Sequence, residues 1–220
     1  PTFGDLAGYV FMKNSPSCGL FRVKVYPPGG NGPARREGTG AYAATVIEEM
    51  PALPVEESGR LFDDVIRENF ATRCFAYAHW QLLGKEVSPR WLVEFHSRYK
   101  YLLMAHSVPA YQEAGRLVSD LREDLTEKTR AYITVLMKGL AVPATRKGHT
   151  NVLSHLQGYL KRQISSPERQ ELDVLIQAYR RGEQPLLAPL ALLQHHFRRF
   201  PEQYVLNQAY LEPHPPAAGL

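Results

Sequence analysis

From about Leu61 onward the chain carries apolar residues at the three- and four-residue steps of an α-helix, and no other feature limits its fold as much. Such stripes are stable only when buried against other elements, so the greater part of the chain must be a packed helical array. LFDDVIRENFATRCFAYAHWQLL opens the run, with Leu61, Val65, Phe70, Phe75 and Tyr77 as apolar positions. Ser88 followed by Pro89 reads as an N-cap and first helical turn for PRWLVEFHSRYKYLLMAHS. Further helices are predicted over 109–121, 125–140, 145–163, 167–181, 189–200 and 202–211. Ser166-Pro167-Glu168 and Arg181-Gly182 frame one of them with a start and a stop signal.

The earlier residues follow a different period. GYVFM (8–12) and FRVKVY (21–26) read as strands, the second alternating Phe21, Val23 and Val25 with Arg22 and Lys24. PPGGNGP (27–33) holds too many breakers to be anything but a loop. A helix is predicted over 40–50 (AYAATVIEEM), and ALPV, bounded by prolines, reads as a short buried strand. The expected fold is an α/β fragment over residues 1–70, joined by a long helix to an all-α domain over 71–220, mostly α overall.

Charge divides along the same line. The net charge is +4, made of −2 over residues 1–70 and +6 over the remainder, and all eight histidines lie in the second part. No acid occurs between Glu127 and Glu168, whereas Lys128, Arg130, Lys138, Arg146, Lys147, Lys161 and Arg162 all do. A long cationic stretch without anions attracts polyanions, although a merely solvated basic face has the same composition.

Within that stretch, ATRKGHTNVLSHLQGYLKR predicts a helix with two faces. Val152, Leu156, Tyr159 and Leu160 form an apolar stripe that must meet a core. Lys147, Asn151, His155, Gly158 and Arg162 fall at steps of four, four, three and four, so they line another face. That face offers cations, an amide, an imidazole and a gap for a phosphate backbone. Arg146, Lys147 and the Gly148 amide add donors at the helix start, where the dipole favours anions. EFHSRYKYLLMAHS interleaves His96, Arg98 and Lys100 with Phe95, Tyr99 and Tyr101, a mixture suited to single-stranded RNA. Trp91, Phe95, Leu102 and His106 read equally well as core, leaving Arg98 and Lys100 for the surface. Arg180-Arg181 and Arg198-Arg199 read as solvated helix ends.

Two cysteines in unlike contexts make no disulfide framework, and no basic-plus-apolar leader is visible, which fits a reducing cytoplasm. No apolar run reaches the roughly 18 residues of a membrane span. Cys18 lies in KNSPSCGLFRVKVY, among serines, a proline and Gly19, with Lys13, Arg22 and Lys24 near enough in sequence to favour thiolate. It reads as a packed free thiol, a nucleophile or a metal ligand exposed among free backbone amides. Cys74, among Phe75, Tyr77 and Trp80, reads as a small buried hydrophobe. CxxC, HExxH, GxSxG, GxGxxG and Walker motifs are absent, and adjacent His195 and His196 diverge too far on a helix to share a metal.

GYVFMKNSPSCGLFRVKVY, REGTGAYAA and LPVEESGRLFDDVIRENF resemble the C-terminal half of the bacterial thiouracil desulfidase family. FHSRYKYLLMAHS, ATRKGHTNVLSHLQGYLKR, PLLAPLALLQHH and YLEPHP resemble the helical YbgA-type domain fused to it in tRNA 4-thiouridine desulfidases. The resemblance implies a 4Fe–4S cluster held by three cysteines, of which Cys18 matches one, with an open iron that takes the thiocarbonyl sulfur. It implies a substrate-contacting or orienting role for Ser15. It also implies tRNA as partner; neither DNA nor a membrane is expected, and the charge and spacing read above offer Arg98, Lys100, Arg146, Lys147, Asn151, His155 and Arg162 as the RNA contacts. The family's other two cysteines and its catalytic glutamate belong to an N-terminal segment that this sequence does not contain, so a truncated remnant of a desulfidase is expected. The alternative is a non-catalytic helical module that binds RNA or protein.

Overall fold

The structure, a computed structural model, describes residues 6–29, 32–83, 87–122 and 124–215. The chain is mostly helical with a small α/β part at its N-terminal end, as the patterning predicts. It divides into two compact units that meet in sequence between residues 83 and 87.

The first unit runs β1 (Tyr9–Phe11), β2 (Val23–Val25), β3 (Arg35–Gly38), α1 (Ala41–Glu49), β4 (Val55–Glu57) and α2 (Asp64–Leu83). β1 pairs with β4 in parallel, Tyr9 opposite Val55, and β2 pairs with β3 antiparallel. Phe11, Leu20, Ala43, Val46 and Leu53 form its buried core.

Three expectations shift here. The strand expected at ALPV starts three residues later, at Val55, as β4, because Pro54 has no N–H to give and instead accepts from the Tyr9 N–H through its carbonyl at 2.9 Å. β4 buries two glutamates. Glu56 is held by Arg60 at 2.8 Å and by the buried Arg73 of α2 at 3.8 Å, so a polar strand is tolerated. FRVKVY shortens to Val23–Val25, since Arg22 sits at φ 57 and breaks the strand before it. β3, with the sequence RREG, has no apolar alternation and was not predicted.

The second unit packs α3 (Pro89–His106), α4 (Val108–Ser119), α5 (Leu125–Leu140), α6 (Arg146–Tyr159), α7 (Ser166–Arg181), α8 (Leu187–Arg199) and α9 (Gln203–Leu206). α3 lies against α4, α5 and α6, and α7 against α6 and α8. Start signals work as read: Ser88 accepts from Trp91 N–H, with Pro89 behind it. α7 carries a full capping box between Ser165 and Glu168, one residue earlier than expected, and stops at Gly182 with φ 85. Val152, Leu153 and Leu156 of α6 are wholly buried, each contributing about 1.5–3 kcal/mol by leaving water.

Two helices are shorter than predicted. α6 ends at Tyr159, and residues 160–163 form turns that return Ile164 to the core. The helix expected over 202–211 is only Gln203–Leu206. Beyond it the chain is tied to α3 instead, through the Ala209 N–H on the Arg98 carbonyl and the Gln208 amide on the Ser97 carbonyl. Among the described residues no helix is long and apolar enough to cross a membrane.

Candidate functional site

The thiol loop of the first unit is tightly built. Ser15 Oγ accepts from the Cys18 N–H at 3.1 Å, and the Ser15 carbonyl accepts from Gly19 N–H at 2.8 Å. The backbone amides expected to be free around Cys18 are therefore in use. The Ser17 carbonyl accepts from the Tyr42 and Ala43 N–H groups, so it covers the start of α1. Gly40 packs so closely on that carbonyl that any Cβ there would collide with it. Cys18 is half-buried, its Sγ 3.4 Å from Ser17 Oγ. Two phenols stand nearby. The hydrogen bond to Tyr42 foremost, then burial, raises the Tyr9 phenol above its ordinary value.

Cys74, read as a small buried hydrophobe, is half-buried like Cys18. Its Sγ occupies the space where a Cβ on Gly8 would go, and burial pushes it up to about 11. The implied cluster asks for three thiolates. The chain holds two, they sit in different settings, and the described residues contain no group of three or more metal-ligating side chains. The residues present do not fit a three-thiolate cluster on their own.

In the second unit the basic face divides into free and committed groups. Lys147, Asn151, His155 and Gly158 are all exposed on α6, as their spacing predicts. Arg162 is exposed too, but it lies beyond the helix end, so the four-residue step does not place it on that face. Arg146 is committed: it donates to the Tyr179 carbonyl at 3.1 Å and lies over the Tyr179 ring at 5.1 Å. The Gly148 N–H is likewise taken, by the Thr145 Oγ1 cap at 3.1 Å. The anion-binding helix start predicted from Arg146 and Gly148 is thus filled by the protein's own groups.

Arg98 donates to the Asn207 carbonyl at 3.1 Å and ties the C-terminal segment to α3. Lys100 is half-buried between two phenol faces, 5.0 Å from the Tyr101 ring and 4.9 Å from the Tyr204 ring. The Tyr101 hydroxyl meets the Tyr159 hydroxyl at 3.2 Å, and the Tyr159 and Tyr204 rings lie 5.9 Å apart at 30°. Tyr159, predicted as core, is 40% exposed, whereas Val152, Leu156 and Leu160 of the same stripe are buried. Sequence reasoning missed this grouping because Tyr204 stood in a segment read only as helix. The signal available was a tyrosine at the edge of an apolar stripe beside two cations.

Two histidines face inward. His149 meets the Tyr210 hydroxyl at 3.0 Å, and burial foremost, then His106, lowers it to about 4. His96 meets the Tyr132 hydroxyl at 3.3 Å and is lowered to about 4 by burial and then by Lys100. Arg181 pairs with Glu183 and Arg199 with Glu168, so those helix ends are exposed but locally neutralised.

Residues 100–215, the bulk of the helical unit, match the family described as "Protein of unknown function (DUF1722)". The chain belongs to the DUF1722 family. A relative described as "Uncharacterized protein YbgA", from Escherichia coli (strain K12), is 44% identical over 126 residues, which is 55% of this chain and 73% of that one. No solved structure matches. Lys100, the α6 face and the tyrosine grouping all lie within the DUF1722 match, whereas the thiol loop lies outside it.

Proposed function

We propose that this chain is part of an iron–sulfur-dependent desulfidase that removes sulfur from 4-thiouridine in tRNA, with the helical unit as its tRNA-binding part. One observation carries the reading: on α6, Lys147, Asn151 and His155 stand exposed around an uncovered Gly158, inside a stretch of chain with no acid from 128 to 167. Phosphate oxygens approach such a face without like-charge repulsion, and the counterions they release drive binding. The net conversion needs only water. The C4=S bond is replaced by C4=O and sulfur leaves as sulfide, with no electrons gained or lost. Cys18 would be the one cluster ligand from this sequence, with Ser15 holding its backbone. A cluster there needs further thiolates from outside this sequence. The second reading is a non-catalytic helical module that binds RNA or protein.

The two readings part in one experiment. The full-length protein that carries this sequence, reconstituted with iron and sulfide without oxygen, is incubated with tRNA bearing 4-thiouridine, and the nucleosides are then quantified. Loss of thiouridine with wild type and none with Cys18→Ser supports the desulfidase; full retention with wild type favours the module. For the tRNA half, Lys147→Glu combined with Arg162→Glu should weaken binding and lower the log–log salt slope by roughly one unit per lost phosphate contact. Unchanged affinity and slope would remove both residues from the interface.

A further inference from the structure

We infer that the tyrosine grouping at the end of α6 is a stacking platform for an unpaired nucleotide of the bound RNA, with Tyr159 as the ring the base lies on. The inference rests on the RNA-binding reading above and deepens it, from a face that attracts phosphate to a position that reads a base outside a duplex.

Tyr159 occupies the edge of a stripe whose other members are buried, yet 40% of it reaches solvent. Its position is fixed from behind. The hydroxyl meets that of Tyr101, itself 5% exposed, and the ring is backed by Tyr204. Burial foremost holds the Tyr101 phenol well above its ordinary value. An aromatic ring already held in place loses little conformational freedom when a base stacks on it. Lys100 lies between the faces of Tyr101 and Tyr204, and His155 approaches Tyr101 with ring centroids 6.2 Å apart. Two cations that follow Tyr159 in the chain, Lys161 and Arg162, are exposed, and neither has an acidic partner among the described residues.

Charge complementarity selects the occupant. Lys100, Lys161 and Arg162 outnumber Glu202, the acid that caps α9 beside Tyr204, and an excess of cations around a fixed aromatic ring matches a strand that carries phosphates and bare base faces together. A paired base has both faces covered, so a continuous duplex meets the cations and leaves the ring unused.

The test compares Tyr159→Ala, Tyr159→Leu and Tyr159→Phe with wild type and with the Lys147→Glu, Arg162→Glu double variant. Affinities and salt slopes are measured for unmodified tRNA, a single-stranded oligouridine and a blunt RNA duplex. Leucine keeps the apolar packing but removes the π face, so it serves if alanine disturbs the fold. The expected result is a roughly 5- to 150-fold loss for tRNA and oligouridine with alanine or leucine, at unchanged slope. Phenylalanine should stay near wild type, and duplex affinity should not move. If the leucine and alanine variants bind tRNA like wild type while the double variant fails, the platform is overturned and the RNA reading stands. Equal losses on duplex and single strand overturn it as well, because they mark a backbone contact. Wild type that binds no RNA, or binds only an acidic protein, overturns both.

Discussion

Two glycines on one helix should respond in opposite ways to the same added methyl group. Gly148 lies in the first turn of α6, where that helix crosses α3, and a Cβ there would run into the Ala105 carbonyl oxygen. The Ala105 carbonyl carbon and Cα would lie only 3.0 and 3.4 Å away. The obstacle is backbone of a helix whose Ala105 is 2% exposed, so no side chain can swing aside. The two helices must separate, and overpacking of this kind costs about 1–3 kcal/mol. Alanine returns up to about 1 kcal/mol through helix propensity. Because the clash is with main chain, the upper part of the range applies and Gly148→Ala should lose about 2 kcal/mol. Gly158 has nothing within 4 Å of the same added atom and is exposed, so Gly158→Ala keeps the propensity gain alone. For a chain of this size the melting temperatures should move down about 4–8 °C and up about 2–4 °C respectively. Urea unfolding followed by circular dichroism gives both midpoints, and equal m-values license the comparison. Gly148→Ala as stable as wild type would refute the close crossing.

Further outcomes follow from the buried polar groups. Stability should fall as pH drops from about 6.5 towards 4, because unfolded His96 and His149 take up protons that the folded protein refuses until about pH 4. Each contributes at most about 3 kcal/mol by the bottom of that window, and His149→Gln should flatten the slope; equal urea midpoints at pH 7.5 and 5 would contradict this. Glu56→Gln weakens the neutralisation of buried Arg73 and should destabilise the first unit by about 3–5 kcal/mol, read as a lowered thermal midpoint. An alkylating reagent at pH 8 should modify Cys18 before Cys74, whose thiol burial holds at about 11, and equally fast labelling of Cys74 would place it differently.

Helices were legible where the sequence carried both a period and its punctuation. Ser88-Pro89 and Gly182 mark ends that the structure keeps, because capping is a local interaction between neighbours in the chain. No glycine or proline follows α6 over residues 160–163, so spacing alone counts Arg162 on a helix face that stops at Tyr159. β3 and β4 were obscured because RREG and VEE are polar, and what permits buried Glu56 is Arg73, distant in sequence. At the candidate site, exposure of Lys147, Asn151 and His155 followed from spacing alone. The commitments of Arg98 to Asn207, Arg146 to Tyr179 and Lys100 to Tyr204 did not, since each partner arrives from another helix or from the C-terminal segment. Spacing identifies a face; only packing tells which of its charges are already spent.

The Gly40 N–H bonds to the Gly19 carbonyl at 2.8 Å, and the Ser17 carbonyl rests on the start of α1. The β2–β3 hairpin therefore leaves and rejoins the body of its unit through a clasped neck, as a handle does. The thiol takes its position from the neck, together with Leu20 in the core and Val23 against Gly19. Changes to the exposed Lys24, Val25, Arg35 and Arg36 should leave Cys18 in place, whereas one methyl group on Gly40 would dislodge it.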